Sequence, residues 1–211
     1  MTGPLFYAKI LLFGEYGIIK DSKGLAIPYN HYQGALKMAS SSTQKTIESN
    51  TNLQKFQKYL ATLTSDLVSF QLDLFQLDLD KGMYFDSSIP QGYGVGSSGA
   101  LVASIYDKYA ENKITVLENL TKDKLLKLKQ IFSLMESFFH GNSSGLDPLN
   151  SYLSLPILIN SSTSLEATGI PYQKNSKAAV FLLDSKMIGE TEPMVSIFMN
   201  KMKNEGFRKM F

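Results

Sequence analysis

The stretch Pro90 to Ala100 constrains this chain more than any other. It reads Pro-Gln-Gly-Tyr-Gly-Val-Gly-Ser-Ser-Gly-Ala, with four glycines (Gly92, Gly94, Gly96, Gly99) and paired hydroxyls at Ser97 and Ser98. Met83 to Asp86 before it reads as a short strand. Leu101, Val102, Ile105 and Tyr109 after it are apolar at helical spacing. The order strand, glycine loop, helix has a physical consequence. Glycines accept positive φ and let a ligand approach the main chain. Successive N–H groups then form an anion-binding concavity, backed by the positive end of a helix dipole. Such a loop suits a polyphosphate. It equally suits a plain glycine turn with a serine helix cap, and a lone glycine loop does not choose between them.

Composition narrows the classes. The 211 residues suffice for one large domain or two small ones, and a 44% hydrophobic, 19% charged chain is ordinary for a globular protein. A net charge of +2 leaves no nucleic-acid footprint. The absence of cysteine excludes disulfides and thiolate zinc sites and fits a cytoplasmic protein. The apolar run Ile10 to Phe13 is too short for a secretion signal, and no run is long enough to span a bilayer.

Along the chain, Phe6 to Phe13 reads as a buried strand. Ile18 and Ile19 start a second strand and Leu25 to Tyr29 is a third. Residues 31 to 52 are weakly patterned, either a flap over a site or a surface insertion. Leu53, Phe56, Leu60, Leu63 and Leu67 predict a helix over 52–67, and the alternation of Phe70 to Leu79 predicts a half-buried strand paired with Met83–Ser88. A long helix begins at a Thr121 cap and stops before Gly141. Asn160 to Ser164 reads as a linker-like loop. Ala178 to Asp184 reads as a strand, and Met194, Ile197, Phe198 and Met202 mark a last helix.

Two segments are odd. Lys9 interrupts an apolar strand, either with its head in water or aimed into a site. In His140-Gly141-Asn142-Ser143-Ser144-Gly145-Leu146-Asp147-Pro148, Asp147 reads first as a helix cap with Pro148 at the first helical position. Glu136 and His140, four apart, read on the same basis as a solvated helix face.

Three segments together resemble a known family. Pro90-x-x-x-Gly94-x-Gly96-Ser97-Ser98 is similar to the second motif of the GHMP kinases, with Gly99 intervening before the usual alanine. Ala8 to Gly17 resembles their first motif, with Tyr16 in place of histidine. Glu136, His140, Gly141, Asn142, Ser144, Gly145 and Asp147 match the Glu-x-x-x-His-Gly-Asn-x-Ser-Gly-x-Asp block of mevalonate kinases, with Ser143 where proline is usual. Three motifs in the family's order, over about the first 150 residues, are far more specific than the glycine loop alone.

The resemblance implies an α+β fold. Residues 1–160 would form a GHMP-type N-terminal ATP-binding domain, a mixed sheet packed with helices. Residues 170–211 would be the beginning of a truncated C-terminal α+β domain, since the family's last glycine-rich motif is absent. It implies ATP and Mg²⁺ as cofactors. Pro90, Gly92, Gly94, Gly96, Ser97, Ser98 and Gly99 would cradle the triphosphate, and Ser98 and Glu136 would be metal ligands. Asp147 would be the base and Lys9 its catalytic partner. Glu15, His140, Asn142 and Ser144 would bind substrate. The acceptor implied is mevalonate, a small-molecule partner of isoprenoid synthesis, with phosphomevalonate the closer rival and sugars a poorer fit. A catalytically inactive binding relative also stays open, as does a homodimer.

Overall fold

The computed structural model describes residues 3–63, 66–116, 119–169, 182–184, 189 and 191–209. Its elements in order are β1 (Phe6–Phe13), a 3₁₀ turn (Gly17–Lys20), β2 (Gly24–Met38), α1 (Gln44–Thr62), α2 (Leu72–Asp80), β3 (Met83–Ser87), α3 (Ser97–Tyr109), α4 (Lys122–His140), α5 (Leu146–Leu153), the hairpin β4 (Ile157–Ser161) and β5 (Ser164–Ala167), then α6 (Thr191–Lys201) and α7 (Glu205–Arg208).

This is the expected α+β class, but every pairing among the described residues is antiparallel, where a mixed sheet was expected. The sheet runs β1-β2-β4-β5, with β3 also on β2. At 15 residues, β2 is long enough to hold β4 beside Gly24–Ala26 and β3 beside Gly34–Met38. The expected strand at Leu25–Tyr29 is thus only its first half. Asn30, His31 and Tyr32 are extra residues against β1, whose pairing jumps from Tyr7↔Gln33 to Ala8↔Tyr29. Such a bulge bends the strand. Ile18 and Ile19 lie in the 3₁₀ turn, and Asn160–Ser164 turns the β4–β5 hairpin instead of linking domains.

Helices α1 to α5 pack against the sheet. Phe6, Ala8, Leu36, Met83 and Phe85 from the strands meet Val102, Ile105, Tyr106 and Tyr109 of α3, and Leu128, Ile131, Phe132 and Met135 of α4 join the same core. Val102, Ile105 and Tyr109 of the apolar face expected for α3 are buried, with Leu101 half-buried. Helix α4 starts on its Thr121 cap as expected and buries Leu125, Leu128, Ile131, Phe132 and Met135, while Phe139 at its end is exposed.

The alternating segment Phe70–Leu79 is a helix from Leu72 on, with Phe70 in an isolated bridge to Ala110. It contains no β-branched residue, while Leu and Gln are good helix formers. Phe75 and Leu79, four apart, are the residues it buries, and the Phe75 ring stacks on Tyr109 at 4.4 Å. Asp78 is buried beside them, accepting from the Tyr109 hydroxyl at 2.8 Å and pairing with Lys108 at 2.7 Å.

Helix α1 starts eight residues earlier than its apolar spacing suggests, on a reciprocal Thr43–Thr46 capping box. Its polar first half is held by tertiary bonds. Asn50 Nδ2 donates to the Leu79 and Met83 carbonyls at 3.0 and 2.7 Å, and Ser49 Oγ accepts from Phe85 N at 2.9 Å. Residues 44–52 are therefore part of the fold, and neither a flap nor an insertion.

The strand expected at Ala178–Asp184 lies largely outside the described residues. The helix expected at Met194–Met202 is α6, which buries Phe198 against the Tyr16 ring at 5.9 Å. No helix among the described residues is long and apolar enough to cross a membrane.

Candidate active site

Four elements converge on one cluster. The glycine loop lies across β1, with Lys9 N donating to the Val95 carbonyl at 2.9 Å. Gly92, Gly94 and Gly96 all take positive φ, and Gly96 (φ +81°) is the N-cap of α3. No side chain caps that helix, so the expected serine cap is replaced by a glycine turn. Ser97 is half-buried at the first helical position, Pro90 is half-buried at the loop's start, and Gly92 and Gly94 are exposed. A Cβ on Gly99 would fall 2.8 Å from the Asp147 carbonyl carbon and Pro148 N. The glycine that departs from the family pattern therefore lets the N-termini of α3 and α5 touch.

That contact brings Asp147 beside Lys9. Lys9 Nζ lies 3.0 Å from Asp147 Oδ1, with the lysine side chain 12% exposed. Of the two readings for this lysine, a head in open water does not hold, because its ammonium is paired with Asp147. Asp147 is not a cap. Gly145 is the N-cap of α5, Asp147 sits in the first turn, and Ser144 Oγ accepts from Leu146 N at 3.3 Å.

The second half of the cluster is built on α4. Glu136 is only 3% exposed, which overturns the solvated-face reading for this residue, while His140 is exposed. Ser98 Oγ donates to Glu136 Oε1 at 3.1 Å and lies 3.0 Å from His140 Nε2. Ser143 Oγ donates to Glu136 Oε2. Burial, seconded by the negative charge of Asp147, pushes the Glu136 carboxyl up to about 7, against the pull of the two hydroxyls and Lys9.

Lys9, Gly96, Ser98, Gly99, Glu136, His140 and Asp147 are thus assembled from sites far apart in sequence. Glu15, Asn142 and Ser144 are exposed, and among the described residues no side-chain bond ties Glu15 or Asn142 to the cluster. Sequence reasoning missed Ser143 as a partner of Glu136, although its place in the motif had marked it as a departure. It also missed that Tyr16 would stack on Phe198. A cavity of about 490 Å³ lined by Phe6, Leu36, Met83 and Lys108 is separate, since none of the candidate site residues lines it.

The residues present fit a magnesium ion. Mg²⁺ takes hard oxygen ligands and, in phosphate-transfer sites, needs only one or two carboxylates beside phosphate and water. A buried carboxylate and a serine hydroxyl 3.1 Å apart supply that chemistry. Among the described residues no group of three or more acidic, histidine or cysteine side chains could cage a metal alone.

The GHMP kinases N terminal domain family model matches residues 59–154. No curated protein matches the chain. Solved structures similar to it include the mevalonate kinase of L. major in complex with R-mevalonate. That match has 17% identity and TM-score 0.44, covering 82% of this chain and 53% of that one. The Methanococcus jannaschii mevalonate kinase matches at 15% identity and TM-score 0.45, covering 80% and 55%. The mevalonate kinase of methicillin-resistant Staphylococcus aureus matches at 18% and 0.41, covering 79% and 55%. The chain spans about half the length of these structures. The matched segment runs from within α1 through the glycine loop and Glu136 to Asp147, so the part of the chain that holds most of the cluster is similar to the GHMP kinases N terminal domain.

Proposed function

We propose that the chain is the nucleotide-binding part of an ATP-dependent kinase that moves the γ-phosphoryl group of ATP onto a hydroxyl of a small molecule, with mevalonate as the acceptor its motifs fit best. The observation that carries this is the Lys9–Asp147 pair at 3.0 Å, set against the glycine turn at Gly96.

Phosphoryl transfer needs little covalent help from a protein; positioning and charge do most of the work. The glycine loop and the uncapped start of α3 offer main-chain N–H groups to the phosphates. Ser98 and Glu136 would hold magnesium, which when bound neutralises charge on the polyphosphate. The Asp147 carboxylate accepts the proton of the acceptor hydroxyl as its oxygen bonds to the γ-phosphorus and the bond to the β-phosphate oxygen breaks. The Lys9 ammonium supplies the positive charge against which the attacking oxygen becomes anionic. Its hydrogen bond also orients the carboxylate. His140, beside Ser98, and the exposed Glu15, Asn142 and Ser144 are the candidates for reading the acceptor.

The test is product formation from MgATP with mevalonate, phosphomevalonate and galactose offered in parallel, for the wild type and Asp147→Asn. Because Asp147 caps nothing, asparagine should cost stability only through a weakened, partly exposed ion pair, about 1 kcal/mol or less. Turnover should fall about 10²-fold or more, the usual scale for losing general-base help. Near-normal turnover in the asparagine variant would remove Asp147 from the mechanism.

A further inference from the structure

We infer that Ser143, which stands where the mevalonate-kinase block carries proline, is a positioning residue that fixes the Glu136 carboxylate for magnesium. The inference rests on the kinase reading above and adds a residue that the motif does not assign.

A glutamate's terminal torsion is broad, so its packing alone does not set the carboxylate plane. Hydrogen bonds must. In this site the two oxygens are held from two sides: Ser98 at the start of α3 donates to Oε1, and Ser143 in the loop after α4 donates to Oε2. The Ser143 hydroxyl is itself fixed. It accepts from Gly145 N at 3.1 Å while it donates to Glu136, so a main-chain N–H polarises it. The Ser143 carbonyl accepts from Ser133 Oγ at 2.6 Å, tying the loop to α4 one turn before Glu136. Gly145 anchors the other end. Its φ is +72°, and a Cβ there would fall 2.2 Å from the Lys129 carbonyl oxygen, so only glycine lets the loop lie this close to the helix.

A serine hydroxyl has two lone pairs beside its proton, so Ser98 would offer one to a metal while its O–H stays on Oε1. The Ser143 bond fixes Oε2, the other end of the carboxylate, and would keep Oε1 facing the phosphate loop. At 3% exposure, little water reaches the carboxylate to replace that donor. A proline has no hydroxyl and cannot supply it. Partners that orient a metal ligand are typically worth about 10- to 100-fold in metal affinity.

The experiment is calorimetric titration of ATP into the chain across a series of MgCl₂ concentrations and in EDTA, for wild type, Ser143→Ala, Ser143→Pro and Ser143→Thr. The magnesium concentration giving half-maximal ATP affinity should rise about tenfold or more in the alanine and proline variants. Threonine keeps the hydroxyl and should stay near wild type. ATP affinity in EDTA should be the same in all four, a pattern that general loosening of the fold would not produce. Alanine and proline each remove the donor, so either one that folds decides. An unchanged magnesium requirement in a folded alanine or proline variant overturns the role of Ser143 while leaving the kinase reading standing. A wild-type chain whose ATP binding ignores magnesium overturns the kinase reading, and this inference with it.

Discussion

Glu136→Gln should make the magnesium-free protein more stable at mildly alkaline pH and leave it nearly unchanged at mildly acidic pH. Burial raises the Glu136 carboxyl from 4.5 to about 7. Over that window the folded protein holds a proton that the unfolded chain releases, so stability falls as pH rises. The interval spans about 2.5 pH units, and at about 1.4 kcal/mol per unit the full effect is about 3 kcal/mol. Most of it, about 2–3 kcal/mol, is expressed between about pH 5 and about pH 8. Glutamine is isosteric and neutral, and the Ser98 and Ser143 hydroxyls can rotate to serve either end of the amide. The variant should therefore exceed the wild type by about 2–3 kcal/mol at the upper pH, about 5–10 °C in melting temperature for a chain of this size. Other groups titrate too, so the quantity to follow is the wild-type-minus-variant difference. With no tryptophan in the chain, urea unfolding is best followed by circular dichroism, in EDTA, at several pH values. A difference that stays flat across pH would mean that Glu136 is not desolvated, and the buried-carboxylate account of the site would fail.

Gly96→Ala forces a side chain into a φ of +81° and places its Cβ 3.0 Å from Lys9 Cγ. It should cost about 1–2 kcal/mol of stability and, by calorimetry, lower ATP affinity more than about tenfold through its displacement of Lys9 and the loop. Tyr109→Phe removes the 2.8 Å bond to buried Asp78, leaving the aspartate its 2.7 Å pair with Lys108. A urea midpoint shift equivalent to about 2 kcal/mol is expected, and a shift under about 0.5 kcal/mol would show that the Lys108 pair alone satisfies Asp78.

What the sequence determined by itself was local. Helix α3 behind the glycine loop, α4 between Thr121 and Gly141 and strand β3 were legible because their signals are caps, stops and periodicities carried within each segment. The three motifs likewise named Lys9, Ser98, Glu136 and Asp147 before any contact among them was known. Tertiary structure decided the rest. Helix α2 looked like a strand because period 2 and the i, i+4 pair Phe75–Leu79 coexist in one segment; its lack of β-branched residues favours the helix, and Phe75 packs on the Tyr109 ring. Helix α1 holds Ser49 and Asn50 because β3 and the end of α2 supply their partners, 29 to 36 residues away. Asp147 read as a cap because Asp before Pro is a cap signal, but the fit of Gly99 against its main chain put it in the first turn facing Lys9. Glu136 read as a solvated residue because helix spacing cannot tell water from a neighbouring loop. It became a buried acid only when α3 brought Ser98 from 38 residues upstream and the loop after α4 folded Ser143 back onto it. Desolvation and the crowding of charges are properties of assembled surfaces, and no single segment of this chain carries them.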